Sequence, residues 1–160
     1  KSRADWIGLA EFLNRTAETL ARHGMATGFH NHYVEFQPVE GEWPWYTLFD
    51  HADPAVIMQF DTGNALAGNA DVDVVEVVRR YPGRSRSVHL KPFAKSLARQ
   101  DVKAATRPVI GEDEVPWQDF FTACEDEGGV EWYIVEYESD AYPPLEAVQR
   151  CLQALRAMGK

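Results

Sequence analysis

The sequence of 160 residues lacks any apolar run near the roughly 20 residues that a bilayer-spanning helix needs. Its opening, "KSRADW", lacks the apolar stretch of a secretory signal. No membrane partner is expected, and a soluble, cytoplasmic protein is. Basic charge is also scarce: 16 Lys plus Arg stand against 25 Asp plus Glu, a net charge of −9, and no basic run is present. Nothing here neutralises a phosphate backbone, so nucleic acid is not an expected partner. Cysteine is limited to Cys124 and Cys151, both on apolar helical faces where a free thiol behaves as a small hydrophobe, so no disulfide framework is expected. Low-complexity segments and domain linkers are missing too. What remains is 45% hydrophobic and 26% charged, enough for one packed domain with a solvated surface.

The hydrophobic period supplies the elements. Residues 5 to 23 place Trp6, Leu9, Leu13, Ala17 and Leu20 on one helical face, and Gly24 is the stop. "MATGFHNH" reads as extended, and a short helix carries Trp45, Leu48 and Phe49. "AVIMQFDTGN" has the continuous apolar run of a strand buried on both faces. "DVDVVEVVRRYPG" is a helix despite its valines, with acids in the first turn and arginines in the last, as the helix dipole prefers. "RSVHLKPF" and "EWYIVEYES" are the remaining strands. The long connection between them, residues 92 to 116, invites a functional reading. Trp117, Phe120, Phe121 and Cys124 mark the next helix, and the last opens at Pro143 and Pro144 and closes near Gly159. A helix followed by four strand and helix pairs requires a parallel sheet with right-handed crossovers.

In each strand the polar residues gather at the C-terminal end: His30 and His32, Asp61 and Asn64, His89 and Lys91, Glu136 and Glu138. Parallel α/β folds place their active sites at that edge. Two of the chain's five histidines sit one residue apart in "GFHNHYVEF", and in an extended strand they share a face. An Asp, a His and a Glu meeting a further His or Glu form an oxygen and nitrogen donor set suited to Mn²⁺, Mg²⁺, Co²⁺ or Zn²⁺. Such an ion acidifies the carbon between a carbonyl and a hydroxyl, and a neighbouring carboxylate can take the proton.

Each candidate also has a structural reading. Asp61 before Thr-Gly-Asn caps a turn or helix as readily as it binds. His30 and His32 can be a hydrogen-bonded pair, and His89 a satisfied core imidazole. Glu136 in a buried strand needs a cation or donors, which a structural ion pair would meet. Lys91 can pair with an acid, Glu138 can be solvated, and Trp43, Trp45, Trp117 and Trp132 can be core or pocket wall.

Taken in order, "GFHNHYVEF", "FDTGNALAG", "RSVHLKPF", "VIGEDEVPWQDFF" and "EWYIVEYES" resemble successive blocks of the xylose-isomerase-like TIM barrel family of sugar isomerases and epimerases, specifically the C-terminal half of the barrel. The resemblance spans nearly the whole chain from about residue 5. It implies an α/β fold of the parallel (β/α)8 TIM barrel type, to which residues 1 to 160 contribute about four βα units as a single domain. It also implies a divalent-metal-dependent sugar or polyol isomerase or epimerase that abstracts a proton next to a carbonyl through an enediolate. Asp61, His89 and Glu136 fall on the family's metal ligands. Asn64 falls on a polar sugar contact, and Lys91 lies in the family's "HLK" block.

The pattern is not followed throughout. His30 stands where the family has its first glutamate, both ligand and acid/base group, so either His30 or Glu35 is expected to supply the fourth ligand. Glu136 is the expected base, with His30 as its catalytic companion, and His32, Asn64 and Lys91 are the expected substrate contacts. The alternatives are an inosose-type dehydratase working at the same site, and a sugar-binding fragment without catalysis. "YESDAYPP" offers no phosphate cradle, which favours an unphosphorylated sugar or polyol. A full barrel needs about 250 residues. This chain is therefore expected to form a homo-oligomer or to lack the N-terminal half of a barrel, because four strands leave two edges and an inner face open.

Overall fold

The computed structural model describes residues 1–99 and 101–160. Helix α1 (Arg3–Ala21) begins two residues before the periodic pattern does, because Ser2 and Asp5 form a reciprocal capping box that satisfies its first free amides. It buries Trp6, Ala10, Leu13 and Ala17. Strand β1 (Gly28–His30) leads to a single 3₁₀ turn at Val34–Phe36 and then to α2 (Pro44–His51). Strand β2 (Ile57–Asp61) passes directly into α3 (Thr62–Gly68), and α4 (Val74–Arg79) follows, capped by Asp73. Strand β3 (Ser87–Leu90) precedes the long connection, which holds the short helices α5 (Lys95–Ala98) and α6 (Val102–Ala105). Helix α7 (Trp117–Ala123) ends in a π-turn, β4 (Trp132–Val135) follows, and α8 (Pro144–Ala157) closes the described fold.

The four strands pair in parallel in chain order, β1-β2-β3-β4. Parallel pairing demands crossovers, and helices lie over one face of the sheet. Met58, Phe60, Val88 and Leu90 point into that covered face and are fully buried. There Phe36 stacks on Trp45 at 5.8 Å between ring centroids, and Phe60 meets Phe120 at 6.3 Å. Such aromatic pairs add about 0.5–1.5 kcal/mol each beyond their burial.

The other face carries Ile57, Gln59, Ser87, Trp132 and Ile134, and it is open. The β2 run is therefore not buried on both faces as its apolar composition predicts: Ile57 and Gln59 are half-buried, alternating with fully buried Met58 and Phe60. The physical reason is that four strands of a barrel provide no opposing strands to cover the inner side. Trp132 departs from its expected place for the same reason and is 69% exposed.

One close approach ties this fold to the site. Gly68 ends α3 against the 3₁₀ turn, and a Cβ there would lie 2.2 Å from the Tyr33 carbonyl oxygen. That oxygen is main chain and cannot rotate away. Gly68→Ala is expected to cost about 1–3 kcal/mol by overpacking, measured as a lower midpoint in urea or heat; an unchanged midpoint would show that the turn is free to shift.

Candidate metal centre

The sheet register decides which side chains meet. His30 lies beside Gln59, Asp61 beside His89, and His89 beside Ile134. The cluster thus sits one inward-facing step lower at β1 and one step higher just past β4, where the Glu136 amide continues the ladder to the Leu90 carbonyl at 3.2 Å. Side-chain reach closes these steps. His30, Asp61, His89 and Glu136 each offer one ligand atom, and the four atoms lie within 4.8 Å of one another.

The capping reading of Asp61 holds, and its carboxylate also lies within the candidate donor group. One carboxylate oxygen caps α3 by accepting the Asn64 amide at 2.7 Å, and the other accepts the Asn64 side-chain amide at 3.1 Å and faces His30 Nε2 at 4.0 Å. Asp61 is 0% exposed, and burial pushes its carboxyl up to about 7 against the opposing pull of the Asn64 hydrogen bond and of Lys91. Burial likewise holds His30 below the usual histidine range, with His89 adding to the effect, which favours the neutral imidazole that binds metals. The His30 Nδ1 atom is buried without a partner among the described residues.

Glu136 is also an ion-pair residue. Lys91 Nζ donates to its Oε1 at 2.8 Å, and its Oε2 meets His89 Nδ1. Burial raises the Glu136 carboxyl, but Lys91 and His89 together outweigh it and hold the group below the usual glutamate range. Lys91 has a side chain only 8% exposed and spends its remaining hydrogens on Asn64 Oδ1 at 3.0 Å and on Glu138. Burial would lower this ammonium, yet the bonds to Glu136 and Glu138 carry the net direction upward. Glu138 is solvated at 69% exposure and nonetheless pairs with Lys91.

Other candidates are placed differently. Glu35 is buried, but its carboxylate accepts the His32 amide at 2.7 Å and it stands outside the four-residue group. Its work is to hold the turn. Strand β1 ends at His30, so His32 does not reach the site by strand alternation; it is exposed, and its ring packs edge-on to His30 at 5.2 Å between centroids. The amide of Asn64 is engaged by Asp61, Lys91 and the Asn31 carbonyl. Two residues that sequence reasoning passed over hold the strand ends together. Buried Asn31 bonds the Asp61 main chain, and the Thr62 hydroxyl accepts the Lys91 amide at 3.1 Å and donates to its carbonyl at 2.8 Å. The signal for both was present, since short polar side chains beside a strand terminus commonly substitute for missing backbone partners.

The family model of the xylose isomerase-like TIM barrel matches residues 1–158. The chain belongs to this family. It is 28% identical over 148 residues to an inosose dehydratase of Geobacillus thermodenitrificans, covering 85% of this chain and 48% of that protein. An inosose dehydratase of Erwinia tasmaniensis is 25% identical over 150 residues, covering 87% and 50% respectively. The crystal structure of a sugar phosphate isomerase/epimerase from Parabacteroides distasonis superposes with a TM-score of 0.79 at 25% identity, covering 96% of this chain and 54% of that one. A D-psicose 3-epimerase has the same fold at 13% identity and a TM-score of 0.61, covering 98% and 56%. The chain spans about half the length of these relatives, consistent with a half barrel. No helix among the described residues is long and apolar enough to cross a membrane.

The donor set fits a divalent ion: two imidazoles and two carboxylates, no thiol, and a dry Asp61. The pH dependence has a definite sign. In the metal-free fold Asp61 keeps its proton above the usual aspartate range, so its contribution to stability is full below that range and is lost as pH rises through about 7. An ion must displace that proton. Mn²⁺ affinity is therefore expected to rise by about tenfold per pH unit below about 7 and to flatten above it. Calorimetric titration on both sides of that value checks this, and a flat profile would remove Asp61 from the ligand set.

Proposed function

We propose that this chain carries the ion-binding half of a divalent-metal-dependent sugar or polyol isomerase or epimerase. The observation that carries the reading is the convergence of His30, Asp61, His89 and Glu136 from four successive strand ends to within 4.8 Å. The four residues would hold Mn²⁺, Mg²⁺, Co²⁺ or Zn²⁺. A bound ion there would polarise a substrate carbonyl and an adjacent hydroxyl, acidifying the C–H between them.

The remaining chemistry belongs to the side chains. Glu136 is the base. Lys91 and His89 keep it ionised at neutral pH, the form that accepts a proton, at the cost of basicity, so abstraction by Glu136 depends on stabilising the enediolate. Lys91 is the donor for an enediolate oxygen, and its three hydrogens are already engaged. Glu138 is the partner it releases most readily, because the Glu138 carboxylate is itself 69% exposed and returns to water. His32 lies at the exposed rim, where a substrate hydroxyl would reach it.

Aldose and ketose interconversion with added Mn²⁺ tests the assignment. Glu136→Gln is expected to lower turnover by about 10²–10⁴-fold, the range of a lost general base, and undiminished turnover would exclude the role. The inosose dehydratases among the relatives favour a second reading, in which the same carbanion expels a β-hydroxyl. Mass analysis of the product separates them, since dehydration removes water and isomerisation does not. We place the protein in the cytoplasm, where its two free buried thiols suit a reducing compartment.

We further propose that the open side of the half barrel is covered in the working protein, by a second copy or by the rest of a barrel. Exposed Trp132 and Ile134 on the inner face and Leu145, Val148 and Leu152 along α8 support this. Sedimentation is expected to show association, and an 18.1 kDa monomer that melts cooperatively would refute it.

A further inference from the structure

We infer that Asn31, a residue outside the metal-ligating group, is a positioning residue that sets the affinity of the site for its ion. The inference rests on the metal reading proposed above. Strand β1 stops at His30, yet β2 continues to Asp61, so the Asp61 peptide has no strand partner on that side. The Asn31 side chain takes the place of the missing peptide. Its Oδ1 accepts the Asp61 amide at 2.7 Å, and its Nδ2 donates to the Asp61 carbonyl at 3.0 Å. Asn31 is 0% exposed, so neither bond competes with water, and losing one would leave a buried group unpaired.

The Asn31 backbone extends the hold to the carboxylate. Its carbonyl accepts Asn64 Nδ2 at 3.1 Å, and the same Nδ2 donates to Asp61 Oδ2 at 3.1 Å. Asn64 Oδ1 in turn accepts Lys91 Nζ, which donates to Glu136. A continuous hydrogen-bonded row therefore runs behind the cluster, Asn31 to Asn64 to Lys91 to Glu136, from the first strand end to the fourth. Asn31 is its anchor: it grips Asp61 at the main chain directly and at the carboxylate through Asn64, and it follows His30 in the chain. Of the four donors, Asp61 takes its main-chain placement directly from this one side chain.

The test is Mn²⁺ binding by calorimetry on the metal-free chain, with the melting temperature measured beside it. Asn31→Ala is expected to weaken Mn²⁺ by about 10- to 100-fold, the usual effect of removing an outer-shell partner. Leu48→Ala, a cavity in α2, serves as the structural comparator and is expected to lower the melting temperature without moving the Mn²⁺ affinity. Should Asn31→Ala not fold, Asn31→Ser replaces it, leaving a polar group too short to reach both Asp61 atoms, with the same expected loss. Unchanged affinity in a folded Asn31 variant overturns the inference alone. Equal weakening in Leu48→Ala also overturns it, by showing that general destabilisation suffices. A wild-type chain that takes up no Mn²⁺ overturns the metal reading, and the role of Asn31 with it.

Discussion

The burial of the Asp61 carboxylate at the end of β2 constrains everything around it. An ionised carboxylate without access to water is costly unless positive charge or donors compensate it. Asn64 provides two hydrogen bonds, and the Lys91 ammonium is engaged elsewhere. The balance is incomplete, and burial wins until pH approaches about 7. The neighbouring groups complete the picture: a His30 that burial keeps neutral, a His89 braced by Glu136, and a Glu136 held ionised by Lys91. Together they form a concentration of donors, dry at Asp61 and partly open at the other three, whose carboxylates outnumber the one ammonium beside them, a condition that a divalent cation would relieve.

Parallel topology is what brings these donors to one rim. Each strand enters the sheet in the same direction, so each C-terminal end and the turn after it lie on one edge. The same topology explains the half-open molecule. Helices return over the outer face and bury Met58, Phe60, Val88 and Leu90, while the inner face awaits strands that these four do not include. Family membership, the coverage of about half of each relative and the exposed Trp132 all describe the same geometry.

Much of this was legible in the residues. The alternation of strand and helix, the polar strand ends, and the candidates Asp61, His89 and Glu136 could be read from period and pattern. Helix α3 was not, because "TGNALAG" is short, begins on a polar turn and ends in glycine, which reads as loop. The choice between His30 and Glu35 was also hidden. It depends on where β1 stops and on the 3₁₀ turn pressed against Gly68, which aims the Glu35 carboxylate back at the His32 amide.

By itself the sequence determined the fold class and the donor chemistry, because hydrophobic period dictates which segments become strands or helices and residue type dictates what a side chain can bind. Only the tertiary structure decided which donors meet, since that depends on register between strands far apart in the chain. It also decided that Asp61 is cap and candidate ligand together, that Lys91 is already saturated, and that Asn31 anchors the row behind the site. A hydrogen bond between neighbouring strand ends leaves no periodic trace in either strand alone.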